Sequence, residues 1–85
     1  MTDEATVFKT VRGIVARKAE LEEEKISLEA DFRNDLQISS IVIISIVLAV
    51  EETFEIEIAD EEIINLTTVG DAVRFIERRL KEPTL

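Results

Sequence analysis

From Ile41 to Val50 the chain reads Ile-Val-Ile-Ile-Ser-Ile-Val-Leu-Ala-Val, an uncharged run broken by one hydroxyl and closed by Glu51-Glu52-Thr53-Phe54. In a chain of 85 residues, a run this apolar has to sit in or against the core, and the rest of the molecule must be built around it. Its β-branched content favours a strand, and over ten residues a buried strand and a buried helix read much alike. Glu51 and Glu52 extend the pattern beyond the usual strand length, so the run is read as a helix. Ser39 or Ser40 starts it, either of which can cap, and it ends near Thr53.

A single small domain covering residues 1–85 follows from the length, with room for one core and little stability to spare. That size argues against a deep, rigid active-site cavity. The chain has no cysteine and no histidine, so disulfides, thiolate metal sites and Ser-His-Asp catalysis are set aside. Nineteen acidic against ten basic residues give a formal charge of -9, a field that repels nucleic acid and attracts basic protein surfaces. The apolar run falls far short of the roughly 20 residues that span a bilayer, and no basic leader precedes an apolar stretch. A soluble, cytoplasmic protein is the expectation.

Four helices are predicted. Val7, Val11, Ile14, Val15 and Lys18 fall at helical spacing, giving a first helix from about Asp3 to Ala19. Gly13 inside it costs about 1 kcal/mol against alanine. Glu20 to Lys25 is charge-rich, and 26–38 shows no sustained period, so it is read as a long loop pinned by Ile26, Leu28, Phe32 and Leu36. Loops of that length in compact domains are often functional, and this one leads into Ser40. After the second helix, Phe54-Glu55-Ile56-Glu57-Ile58 alternates strictly but lacks a partner strand, so an extended connection burying Phe54, Ile56 and Ile58 is expected. Asp60-Glu61-Glu62 opens a short third helix. Thr68-Val69-Gly70-Asp71 fits a variant capping box for a fourth, with Val69, Ala72, Val73, Ile76 and Leu80 at helical spacing, Arg78, Arg79 and Lys81 near its end, and Pro83 as its stop. The inward side of the second helix is assigned to Ile41, Ile43, Ile44, Ile46, Val47 and Val50.

Asp35-Leu36-Gln37-Ile38-Ser39-Ser40-Ile41 resembles the phosphopantetheine attachment site of acyl carrier proteins, Asp-Leu-Gly-x-Asp-Ser-Leu, in which the serine begins the second helix. Asp35, Leu36 and Ser40 match and Ile41 stands in the leucine slot, while Gln37 and Ser39 replace the usual glycine and aspartate. The likeness continues in register through Phe32, Glu51-Glu52, Phe54, Ile58, Asp60-Glu61-Glu62 and Leu66-Thr67-Thr68-Val69. It implies an all-α, four-helix acyl-carrier-like bundle whose Ser40 carries a covalent 4'-phosphopantetheine installed by a phosphopantetheinyl transferase. The arm would present acyl thioesters to partner enzymes, as in fatty acid biosynthesis and related lipid metabolism, and the chain would not itself be an enzyme. A serine at a helix start suits a phosphate, because unpaired amides and the positive end of the dipole face it. Ser39 is the rival acceptor, and composition does not separate the two. The plain alternative is that Ser40 only caps its helix.

The resemblance also implies an interior that opens between the second and third helices to shelter an acyl chain. Its lining would be Phe32, Ile43, Ile46, Val47, Val50, Ile58, Ile63, Leu66, Ala72, Phe75 and Ile76, residues that ordinary core packing also accounts for. Typical members expose acidic residues after the serine, where this chain has Val42 and Ser45. Val42, Ser45, Ala49 and Glu52 share a helix face with Leu48 beside it, either an apolar docking site or a surface covered by a loop or a second copy. Glu51, Glu52 and Asp60 are further candidates for partner recognition, against the bland reading of a solvated acidic surface. This departure points to a specialised carrier in a lipid or secondary-metabolite pathway. The alternatives are an aminoacyl or peptidyl carrier, which the acidity disfavours; an unmodified acidic interaction module; and a membrane-surface domain using Val42 and Leu48, which the charge disfavours.

Overall fold

Val7, Val11, Ile14 and Val15 recur at three- and four-residue intervals, and in the computed structural model, which describes residues 4–82, they form the buried stripe of α1 (Glu4–Ala19). The predicted start at Asp3 and the stop at Pro83 lie outside the described residues. A 3-10 turn, Glu23–Lys25, follows, then a long connection to α2 (Ser40–Phe54), the short α3 (Asp60–Ile63) and α4 (Val69–Lys81). The chain is thus a four-helix acyl-carrier-like arrangement. α1 packs against both α2 and α4, and one core joins them, with Val7, Val15, Val69 and Val73 fully enclosed.

The connection from α1 to α2 is held by α4. A helix leaves its first amides without internal partners, and here the loop supplies them. Val69 N donates to Ala30 O (3.0 Å) and Gly70 N to Leu28 O (2.8 Å), while Phe32 N donates back to Thr67 O (3.0 Å). Asp31 and Thr68 form an isolated antiparallel bridge. The third amide, Asp71 N, donates to Thr68 Oγ1 (3.1 Å), and the Asp71 carboxylate accepts from Thr68 N (3.0 Å) and Thr67 N (3.1 Å). This is the expected capping box. The Thr68 amide, against a smaller opposing effect of burial, and then the Thr67 amide and Arg74 hold the Asp71 carboxyl below the usual carboxylate range. Ile26, Ala30, Phe32 and Ile38 are the loop's buried residues, with Leu28 and Leu36 packed partly against the core.

Just before α2 the loop tightens. Asp31 Oδ1 accepts from the amides of Arg33 and Asn34 (both 2.8 Å), and Asp35 Oδ2 accepts from Asp31 N (2.8 Å). Gln37 then takes the left-handed conformation, φ 54°, which lets Ile38 turn inward and donate to Phe32 O (2.9 Å). A residue with a Cβ resists that conformation by roughly 1–2 kcal/mol, and the Gln37 side chain is exposed. Gln37→Gly should therefore stabilise the fold. After the larger unfolded-state entropy of glycine is set against the relief, the net gain is about 0.5–1 kcal/mol, or several degrees in a thermal melt. A lower melting temperature would contradict this account of the turn.

α2 differs from expectation in which faces it buries. Ile46 and Val50 point into the core, with Ile43 and Val47 partly covered beside them. Ile41 and Ile44, assigned inward from the sequence, are 80% and 57% exposed. Residues 41, 44 and 48 step by three and four along one side of the helix, opposite 46 and 50. The helix is apolar on every side, so hydrophobicity alone does not reveal which side faces in. It ends when Glu55 adopts φ 56° and donates its amide to Glu51 O. The expected extended connection from Phe54 is shorter than predicted, because Phe54 is still the last residue of α2 and Glu55 makes the turn, leaving residues 56–59 as the link to α3. Phe54 and Ile56 are half-buried and Ile58 is buried.

Candidate functional site

The two serines at the start of α2 do different things. Ser39 has extended backbone and its Oγ accepts from Val42 N (3.4 Å), so it is the N-cap. Ser40 is the first residue of the helix, exposed, and its Oγ accepts a 2.9 Å hydrogen bond from the Arg33 guanidinium. The hydroxyl therefore stands free of the helix it begins, at the positive end of the dipole. No signal used in reading the sequence pointed to Arg33. One was present, since it is the sole cation between Lys25 and Arg74.

Ser40 opens onto a groove of about 450 Å³ lined by Phe32, Arg33, Ile43, Ile44, Ile63, Ile64, Leu66 and Thr67. Four of these, Phe32, Ile43, Ile63 and Leu66, also line an apolar cavity of about 40 Å³ deeper in the molecule. The cavity lies where α2 faces α3 and α4. Its walls are Phe32, Ile43, Ile46, Val47, Val50, Ile58, Ile63, Leu66, Ala72, Phe75 and Ile76, with Val11 of α1 as its floor. Eleven of these walls are residues that the sequence placed together; Val11 is the addition. It was read only as part of the buried stripe of α1.

A family model described as the phosphopantetheine attachment site matches residues 9–76, about four-fifths of the chain. The chain belongs to that family. It is a carrier protein of the phosphopantetheine-binding kind, and the group such a domain holds is a covalently attached 4'-phosphopantetheine. The residues present fit that group. A phosphate ester needs an accessible hydroxyl and compensation for one negative charge, and Ser40 offers the first while the start of α2 and Arg33 offer the second. The groove beside Ser40 leaves open space that an arm attached there would occupy.

The carrier's outer face around Ser40 is largely apolar. Ile41, Ile44, Leu48 and Ile64 are exposed, the last at 80%, while Val42, Ser45 and Ala49 are half-buried. Of the acidic candidates, Glu52 and Asp60 are exposed. Glu51 is engaged inside the chain, its Oε2 accepting from Ile58 N (2.8 Å) and its carbonyl from Ile56 N (3.1 Å), and so ties the end of α2 to the connection after it. Glu62 does the same for α3, accepting from Ala59 N (2.9 Å). Among the described residues, no helix is long and apolar enough to cross a membrane.

Proposed function

We propose that this chain is a single-domain acyl carrier, spanning residues 1–85, that holds acyl groups as thioesters on a phosphopantetheine joined to Ser40 and presents them to partner enzymes without catalysing a reaction itself. The observation that carries the reading is an exposed Ser40 hydroxyl on a groove with Arg33, whose walls Phe32, Ile43, Ile63 and Leu66 also line the apolar cavity beneath. In the loading step the Ser40 oxygen attacks the phosphorus next to the pantetheine half of coenzyme A. A new phosphorus–oxygen bond forms, the bond to the adenosine bisphosphate half breaks, and the serine proton passes to a base on the transferase. The attached group then supplies the thiol that this cysteine-free chain lacks.

The chain's own residues do the rest. Phe32, Ile43, Ile46, Val47 and Val50 give an acyl chain an apolar wall opposite Ile58, Ile63, Leu66, Ala72, Phe75 and Ile76. In the measure in which one water takes roughly 10–15 Å³, a cavity of about 40 Å³ holds only a few water-sized units, so a longer cargo enters by parting α2 from α3 and α4. The partner face consists of Val42, Ser45, Leu48, Ala49, Glu52 and Asp60 together with exposed Ile41 and Ile44. Its scarcity of charge near Ser40 favours dedicated partners with apolar docking surfaces, in a specialised lipid or secondary-metabolite pathway. A cytoplasmic workplace, where coenzyme A and such enzymes meet, belongs to the same reading.

Intact mass before and after incubation with coenzyme A and a broad-specificity phosphopantetheinyl transferase tests the carrier assignment: a single phosphopantetheine adduct is expected. Absence of any adduct, on the protein as purified or after treatment, would leave a binding module in its place. The specialised assignment is tested separately by supplying the loaded protein to housekeeping fatty acid synthesis enzymes. Efficient turnover there would sink it.

A further inference from the structure

Arg33 is placed by an unusually complete local scaffold for an exposed side chain. Its own amide is held by Asp31 Oδ1 (2.8 Å), the next amide, of Asn34, by the same oxygen (2.8 Å), and Phe32 before it is anchored to Thr67 on the start of α4 (3.0 Å). The turn thus points one cation at one hydroxyl, with Arg33 Nη1 lying 2.9 Å from Ser40 Oγ. No carboxylate among the described residues lies within ion-pair distance of Arg33, whose neighbours Asp31 and Asp35 bind backbone amides instead. Among the described residues the remaining guanidinium donors make no further hydrogen bond. Arg33 is the one Lys or Arg between residues 25 and 74, in a chain of charge -9, and it stands seven residues before Ser40.

We propose that Arg33 is a positioning residue for the phosphodiester: once Ser40 is modified, its guanidinium pairs with the phosphate anion and holds the root of the arm at the mouth of the groove. A hydrogen bond to a neutral hydroxyl becomes a charge-assisted one to an anion, which is shorter and about twice as strong. The start of α2 would offer the same phosphate the positive end of its dipole, so a helix terminus and a guanidinium would share the compensation of its charge. Arg33 also lines the groove with Ile43, Ile44, Ile63 and Ile64, so holding the phosphate there would keep the arm along the walls that the groove shares with the apolar cavity.

The inference rests on modification of Ser40, and the experiment separates the two. Wild type, Arg33→Gln and Arg33→Lys are each prepared unloaded and loaded, and compared by ³¹P NMR and by thermal melting. In wild type the phosphodiester resonance is expected to move between about 0.05 and about 1 M salt, over which the Debye length falls to roughly 3 Å. In Arg33→Gln it should stay near its high-salt position throughout, and Arg33→Lys should retain part of the response. Loading should raise the melting temperature of wild type by roughly 2–4 °C more than that of Arg33→Gln at low salt. Identical resonances and identical loading shifts in wild type and Arg33→Gln would overturn the role of Arg33 and leave Ser40 as the acceptor. Loss of loading in the Arg33 variants alone would assign the residue to the transferase contact and also overturn it. Failure of wild type to load would end both readings.

Discussion

Ser40→Ala should abolish the phosphopantetheine adduct outright while leaving the helical fold intact, and Ser39→Ala should load fully while losing stability. The two serines are adjacent in sequence and similar in chemistry, so this reversal of effects comes entirely from geometry. Ser39 spends its oxygen on the amide of Val42, and removing an N-cap of this kind costs about 0.5–1 kcal/mol, at the lower end because the bond is long. Ser40 spends its oxygen on nothing the helix needs. Its one partner among the described residues is Arg33 at 2.9 Å, an exposed contact whose loss changes stability by less than about 0.5 kcal/mol, and alanine is well suited to the first turn of a helix. Intact mass with peptide mapping reads the adduct, and urea denaturation reads the cap. An adduct that survives in Ser40→Ala, or maps to Ser39, would mean that the cap opens to let Ser39 react, and the assignment of roles at this helix start would fall.

Much of this was legible because the sequence states its own boundaries. Thr68 and Asp71 are each other's partners three residues apart, so the capping box that starts α4 is legible from spacing alone. The alternation of Phe54, Ile56 and Ile58 marks the residues that turn toward the core, although Phe54 ends α2 instead of opening an extended connection, and no second strand exists for them among the described residues. The residues that line the cavity coincide with those that likeness to a family implies, and spacing alone does not single them out. Three things were not legible, each for a physical reason. The inward face of α2 was not, because a helix with Ile, Val and Leu on all sides carries no amphipathic signal, and only packing against α1 selects Ile46 and Val50 over Ile41 and Ile44. Glu51 read as a surface acid because nothing in its neighbours foretells that the chain folds back to place the Ile58 amide 2.8 Å from its carboxylate. Arg33 was passed over because its contact with Ser40 depends on the turn at Asp31 and the left-handed Gln37, and the glycine that usually announces such a turn is absent.

Replacement of the two glycines should shift stability in opposite directions, with Gly70→Val the most damaging single change expected outside the central core. Neither glycine has a positive φ, so backbone freedom explains neither, and the difference is one of space. A Cβ at Gly13 would meet nothing within 4 Å. There alanine gains its helix propensity without a clash, about 0.5–1 kcal/mol. A Cβ at Gly70 would sit 2.9 Å from the carbonyl oxygen of Leu28, and that oxygen already accepts the Gly70 amide at 2.8 Å. Relief requires the loop strand to move off α4, which breaks the bond that satisfies the helix's second amide. Strain of roughly 1–3 kcal/mol and a buried amide left unpaired at about 1 kcal/mol or more outweigh the propensity that valine brings. The net loss is about 3 kcal/mol, a large share of the roughly 5–15 kcal/mol that holds a domain together, and a fall in melting temperature of roughly 12–20 °C. Because the same strand carries Phe32 and Arg33, a displaced loop also loosens the wall of the groove and the cation beside Ser40. Gly70→Val should therefore broaden the amide resonances of 28–33 and of Ser40 even well below its melting point, whereas Gly13→Ala should leave them unchanged. If Gly70→Val melts within a few degrees of wild type, the loop is not clamped by α4, and the placement of Arg33 has to be explained by the Asp31 turn alone.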